Sequence, residues 1–194
     1  DDYVTTARTL APLATYLVLN LSCPNTCDGR TFFAHPGNLS RLLEAVGETD
    51  PAKPVFLKVA PFAHTEEMDA FLERVAAAPY VAGFAVNLPP GKPVPLRMPQ
   101  ERLAKMPGAD SGKPCQDLVD QTLREFYRRM DRKRHRLIGA GGVFTAEDAY
   151  RKIRLGASMV QMLTGLVYEG PLVVRRVVRS LAELLAWDGF RSVE

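Results

Sequence analysis

Residues 136–165 read RLIGAGGVFTAEDAYRKIRLGASMVQMLTG, and this stretch decides the fold. Two short apolar runs, Arg136 to Ala140 and Met159 to Leu163, flank a segment with helical spacing from Ala146 to Leu155. Strand, helix, strand is the pattern of a parallel βα unit, because parallel neighbours need a long crossover and a helix supplies it. The first run ends in Gly139-Ala140-Gly141-Gly142 and the second in Leu163-Thr164-Gly165. In barrels that bind phosphates, the loops after the last two strands offer backbone N–H donors, helped by the positive end of a short helix. Glycine lets the backbone approach a phosphate closely, and Thr164 can add a hydroxyl. The plainer alternative is that these glycines only make tight turns; their occurrence in tandem favours the phosphate reading.

Working upstream, the same rhythm repeats. Strands are expected at Tyr16 to Leu21, Pro54 to Val59 and Val81 to Val86, with helices near Leu39 to Val46, Glu66 to Ala78 and Asp117 to Met130. The last of these offers Leu118, Leu123, Phe126 and Tyr127 for its inner face. Further helices are expected at Asp2 to Leu13 and Pro171 to Trp187, the latter with Pro at its first turn and Gly189 past its end. The segment Leu88 to Pro114 holds seven of the fifteen prolines and reads as a long loop, functional or disordered. Five such units could form an open doubly wound sheet or part of an eight-stranded barrel. All five strands end in polar or glycine positions: Asn20 to Cys23, Lys58, Asn87, Gly139 to Gly142, and Thr164-Gly165. Chemistry at the carboxyl end of every parallel strand suits the barrel. The expectation is α/β, a (β/α)8 TIM-type barrel of which this chain supplies about five βα units, with residues 1–194 one partial domain.

Bulk properties exclude several classes. A net charge of +3, dispersed along the chain, is too small to argue for nucleic acid or an anionic membrane surface as main partner, and no nucleic-acid partner is expected. Three cysteines in a chain of this size do not make a disulfide framework. Cys23 and Cys27 are followed by no second Cys/His pair, so no metal is expected. No apolar run reaches a transmembrane length and no targeting segment is present; the chain starts inside a helix without Met, so upstream sequence is expected. His35, His64 and His135 read as surface residues, and the basic run Arg128 to Arg136 as a solvated helix end complementing the dipole.

Two side chains invite a chemical reading. Lys58 sits inside an apolar strand, where alternation puts it either in the barrel or against the helices, and a lysine there is costly without an anionic partner. It either snorkels to solvent at the strand end or supplies positive charge to a reduced flavin or anionic substrate. Cys23, in Asn20-Leu21-Ser22-Cys23-Pro24-Asn25-Thr26, is either a small core residue or a general base at a polar strand end.

That heptapeptide resembles the signature of the dihydroorotate dehydrogenase family. Lys58, Asn87, Ser111-Gly112-Lys113-Pro114, Gly139-Ala140-Gly141-Gly142-Val143 and Gly156-Ala157-Ser158-Met159-Val160-Gln161 follow in the family's order, and the match covers nearly the whole chain. The resemblance implies FMN at the top of the barrel and oxidation of dihydroorotate to orotate in pyrimidine synthesis. A base takes the C5 proton while hydride leaves C6 for flavin N5. It implies Cys23 as that base, and Asn20, Asn25 and Asn87 as holders of the substrate. It also implies Lys58 beside the flavin N1 and O2 edge, and Asn20, Ser111, Gly112, Gly141, Gly142, Leu163 and Thr164 on the rest of the cofactor.

Most of the sequence, including Ser111-Gly112-Lys113-Pro114 and Asp188-Gly189-Phe190, is similar to the membrane-associated class that passes electrons to quinone and uses serine as base. Cys23 is what the soluble class uses. Leu88-Pro89-Pro90 stands where the quinone-using class carries threonines, and Leu163 where an aromatic is common. The expected partners are dihydroorotate or orotate, a quinone or other acceptor, and an N-terminal part of the barrel or another chain completing it. The expected location is the cytoplasm or the mitochondrial inner membrane. A competing expectation is an inactive structural subunit of a larger assembly. A flavin barrel acting on other pyrimidines, such as the tRNA dihydrouridine synthases, finds only one basic helix end in its support.

Overall fold

Apolar β-branched runs and amphipathic helices alternate along this chain, and a computed structural model shows what they build. It describes residues 2–23, 32–33, 35–86, 88–89, 91–92 and 96–193. Five strands, β1 (Leu17–Asn20), β2 (Val55–Val59), β3 (Val81–Val86), β4 (Arg136–Gly139) and β5 (Met159–Val160), form one parallel sheet in the order β1-β2-β3-β4-β5. A doubly wound sheet reverses direction at a switch point; strictly sequential order does not, and is the winding of a (β/α)8 barrel. The chain contributes five βα units of that fold.

The two faces of the sheet differ as a barrel requires. Leu17, Leu19, Val55, Leu57, Val59, Val81, Phe84, Val86 and Leu137 belong to the main core, shared with the helices. These are α1 (Asp2–Leu10), α2 (Pro36–Gly47), α3 (Thr65–Ala76) and α5 (Gln116–Arg129). Phe56, Ala85 and Ile138 form a separate small cluster on the opposite, inner face. Register aligns Asn20, Lys58, Ala85, Ile138 and Met159 in one row across that face. Gly83 pairs with Phe56 and Arg136; a Cβ there would lie 2.0 Å from the Arg136 carbonyl oxygen, so no larger residue fits.

Beneath the sheet, Phe84 of β3 stacks on Phe126 of α5 at 5.1 Å and meets Phe71 of α3 edge-on at 5.8 Å. Each such pair adds about 0.5–1.5 kcal/mol beyond area burial. The buried stripe of α5 is Val119, Leu123 and Phe126, with Leu118 half-buried and Tyr127 exposed. The face is thus rotated from the expected one, and the Tyr127 ring instead covers Gly156, where a Cβ would come within 2.1 Å of it.

Other expectations are corrected. The long loop contains a short helix, α4 (Gln100–Ala104), and a single 3₁₀ turn at Lys113–Cys115. The strand expected to run to Leu163 ends at Val160; Gln161 donates one more bond to the Gly139 carbonyl, and the chain then turns into α7 (Thr164–Glu169). This six-residue helix went unforeseen because so few residues show no helical period. After α6 (Ala146–Arg154), the closing helix α8 (Leu172–Trp187) packs Val173 and Val177 against Val143 and Ala149.

His135 is buried, not at the surface, with its ring 4.9 Å from that of Phe84. The rest of the basic run is largely exposed, as a solvated helix end would be, but several of its cations are also engaged. Arg134 donates to the carbonyls of Val75, Ala76 and Ala78 at the end of α3, Arg129 grips both oxygens of Asp69 at 2.9 and 2.7 Å, and Arg132 lies over Tyr127. Arg129 and Arg134 fasten α5 and the segment before β4 to α3 and the residues that follow it, while Arg132 packs within its own segment.

Candidate functional site

Because all strands are parallel, their carboxyl ends open onto one rim. There a cavity of about 260 Å3 is lined by Lys58 at the end of β2, Leu88 after β3, and Ser111 and Gly112 before the 3₁₀ turn. Gly141, Gly142 and Val143 after β4, with Leu163 and Thr164 at the start of α7, also line it. Alternation settles the Lys58 ambiguity: Leu57 and Val59 are in the helix-side core, so Lys58 points into the barrel interior and reaches the cavity. Seven of the eight residues that the sequence suggests for a cofactor therefore meet in one place; the eighth, Asn20, does not line this cavity.

Asn20 pairs in register with Lys58 but borders a different, more apolar groove of about 490 Å3 between α1 and β1. Its side-chain oxygen accepts from the amide and hydroxyl of Ser22, both at 3.3 Å, which leaves its NH2 group as the part it can offer a ligand. Cys23 lies half-buried three residues past β1, at the same end of the sheet as Lys58, and is not in the cavity lining. Its neighbour Tyr3 has its hydroxyl pKa raised, first by burial and then by the Cys23 charge, and donates to the Asn20 carbonyl. Asn25, Asn87 and Cys27 lie outside the described residues.

One part of the cavity wall is backbone, at its glycines. Gly112 and Gly142 have φ of +77 and +75°, in the left-handed region where a side chain is strained. Space forbids one as well: a Cβ on Gly142 would lie 2.6 Å from Cβ of Gln116, and one on Gly112 2.9 Å from Cγ2 of Thr164. The Thr164 and Ser111 hydroxyls are 3.2 Å apart across the opening. Close-set amides, two hydroxyls and a lysine are a donor-rich set that suits a phosphate and a polyol chain.

Behind these walls is a polar cluster that sequence reasoning missed. Asp148, in the first turn of α6 and only 3% exposed, accepts from the backbone amides of Phe144 and Thr145, each at 3.0 Å, through one oxygen. Through the other it accepts from Nε2 of Gln116 at 2.8 Å and from Nζ of Lys113. Gln116 Nε2 also reaches the Gly142 carbonyl at 3.2 Å. Burial alone would raise the Asp148 carboxyl, but the bonds from Lys113, Gln116 and the two amides outweigh it and hold the pKa down to about 2. Part of this was visible in Thr145-Ala146-Glu147-Asp148, whose spacing is that of a capping box. The link to Gln116, 32 residues away, has no signature in local sequence.

Fold and site together define a parallel (β/α)-barrel protein whose polar cavity sits at the carboxyl ends of its strands. The chain belongs to the dihydroorotate dehydrogenase family, whose model matches residues 1–185. It is 41% identical to the dihydroorotate dehydrogenase (quinone) of Myxococcus xanthus, covering 100% of this chain and 52% of that relative. It is 37% identical to that of Haloarcula marismortui, covering 100% and 53%. Among solved structures, ligand-free DHODH from Eimeria tenella superposes with a TM-score of 0.88 at 27% identity, covering 100% of this chain and 58% of that one. The same enzyme with ferulenol gives 0.83 at 26% identity, with 100% and 56% covered. The chain spans about half the length of the curated relatives it matches. Among the described residues, no helix is long and apolar enough to cross a membrane.

Proposed function

We propose that the protein carrying this chain oxidises dihydroorotate to orotate with FMN as cofactor and, like the relatives named for it, quinone as acceptor. The observation that carries the reading is the meeting of Lys58, Ser111, Gly112, Gly141, Gly142, Leu163 and Thr164 around one donor-rich cavity at the carboxyl rim. In this reading the amides of Gly141, Gly142 and Val143, which also lines the cavity, and the hydroxyls of Thr164 and Ser111 hold the FMN phosphate and ribityl chain. FMN, when bound, accepts the hydride that leaves C6 of the substrate.

The remaining work falls to side chains. Cys23 removes the C5 proton, which a thiolate does as general base. Lys58 supplies a fixed positive charge where negative charge develops, and a preformed charge in a dry site is worth more than one in water. Asn20 donates through its NH2 to the pyrimidine, with Asn25 and Asn87 as further holders, and an N-terminal part of the barrel or another chain completes the fold. Leu88 in the cavity lining contributes apolar surface where quinone-using relatives offer a hydroxyl.

The experiment is anaerobic addition of dihydroorotate to the flavin-loaded full protein. Bleaching of the flavin's visible absorbance, with orotate formed in equal amount, is expected. A flavin that binds and stays oxidised would remove the assignment.

A further inference from the structure

Resting on the FMN reading above, we infer that Asp148 and Gln116 are positioning residues for the phosphate cradle, clamping its two glycine walls together without touching the ligand. The walls belong to segments far apart in sequence. Gly112 enters the 3₁₀ turn Lys113–Cys115, and Gly142 leads from β4 to α6. Asp148 is bonded to both at once: on one side to Lys113 and Gln116, on the other to the amides of Phe144 and Thr145. Gln116 closes the loop by donating to the Gly142 carbonyl.

A carbonyl held by its own donor fixes the orientation of the peptide that follows it, and that peptide carries an N–H. The Gln116 bond therefore sets where the Val143 amide, at the cavity lining, points. The steric relation acts the same way: the Gln116 Cβ occupies the space where a Gly142 Cβ would go, so the loop lies directly on the side chain. A phosphate needs several N–H groups aimed at one point, and loss of aim by a fraction of an ångström costs much of the electrostatic gain.

The chemistry allows a test that separates positioning from general stability. An Asp148→Asn side chain can keep its carbonyl oxygen on the Phe144 and Thr145 amides, so the helix cap survives. Its NH2 then faces the donors of Lys113 and Gln116, and the clamp opens. Gln116→Leu removes the bond to Gly142 while filling the same space.

Apoprotein of the full polypeptide is titrated with FMN and, separately, with riboflavin, which lacks the phosphate, using quenching of flavin fluorescence. Both variants should weaken FMN about 10- to 100-fold, as expected for losing hydrogen bonds to charged groups. Riboflavin affinity should fall by at least about fivefold less than FMN affinity, because the aimed amides bond more strongly to a charged phosphate than to neutral ribityl hydroxyls. Equal weakening of both flavins would reduce the cluster to a stability role and overturn the inference; so would unchanged FMN binding. Should Asp148→Asn fail to fold, Gln116→Leu decides alone. If the unaltered protein binds riboflavin as tightly as FMN, the cradle is not a phosphate site and this inference falls while flavin binding stands. If it binds neither, the FMN reading itself falls.

Discussion

Cys23 and Cys115 show how environment separates two identical side chains. Cys115 is fully buried, and burial followed by the Asp110 charge pushes its thiol up to about 11, so it is an inert packing group. Cys23 sits half-buried at the polar rim. Replacing it by serine should leave flavin bound but move the pH dependence of dihydroorotate oxidation to more alkaline values, since a hydroxyl ionises far less readily than a thiol; an unchanged profile would remove Cys23 as the base. His135 gives a second pH prediction. Burial first, then Arg134, lowers its pKa below the ordinary histidine value, with Asp131 opposing. The unfolded chain thus takes up a proton that the native state resists, and stability falls as pH drops below about 6.5. Urea midpoints measured at neutral and mildly acidic pH should diverge, and His135→Leu should reduce the divergence. Sequence placed His135 at the surface because it stands singly in a polar segment; the Phe84 ring it packs against is distant in sequence and gives no local sign.

At the scale of elements, α6 is joined to α5 by a buried ion pair. Lys152, with no exposed surface, places its ammonium 2.5 Å from Asp120, and Arg151 approaches the same carboxylate at 3.6 Å. Removing one partner leaves a charge stranded, so Lys152→Ala should cost about 3–5 kcal/mol in denaturant unfolding, whereas Lys152→Met with Asp120→Leu should recover most of it. A small cost for the single change would mean that Asp120 is hydrated or served by Arg151 alone. The strands and long helices were legible because apolar period and caps report them: β3 runs Val81–Val86 as read, and α6 starts at Ala146. α7 and the truncation of β5 were not, since both depend on how the chain turns after Gln161, a matter of tertiary contacts and not of period.

For the molecule as a whole, the sequential strand order explains why distant motifs could be read as one site. Each strand delivers its last residues to the same rim, so the polar strand ends noted in the sequence become neighbours once the sheet forms. What could not be read was depth: which residues line the cavity, such as Leu88, and which stand behind it, such as Gln116 and Asp148. The inner sheet face and one side of α8 remain open in this chain, with Val18 36%, Met159 39%, Val178 61% and Trp187 90% exposed. Apolar surface of that extent is what further strands and helices of a full barrel would cover. The most direct measurement is the flavin content of the full protein beside its Gly142→Ala variant, in which a Cβ would press on Gln116 at a φ of +75°. The account predicts stoichiometric FMN in the former and its loss from a still-folded variant. A colourless parent protein, or a variant that keeps its full flavin, would contradict it.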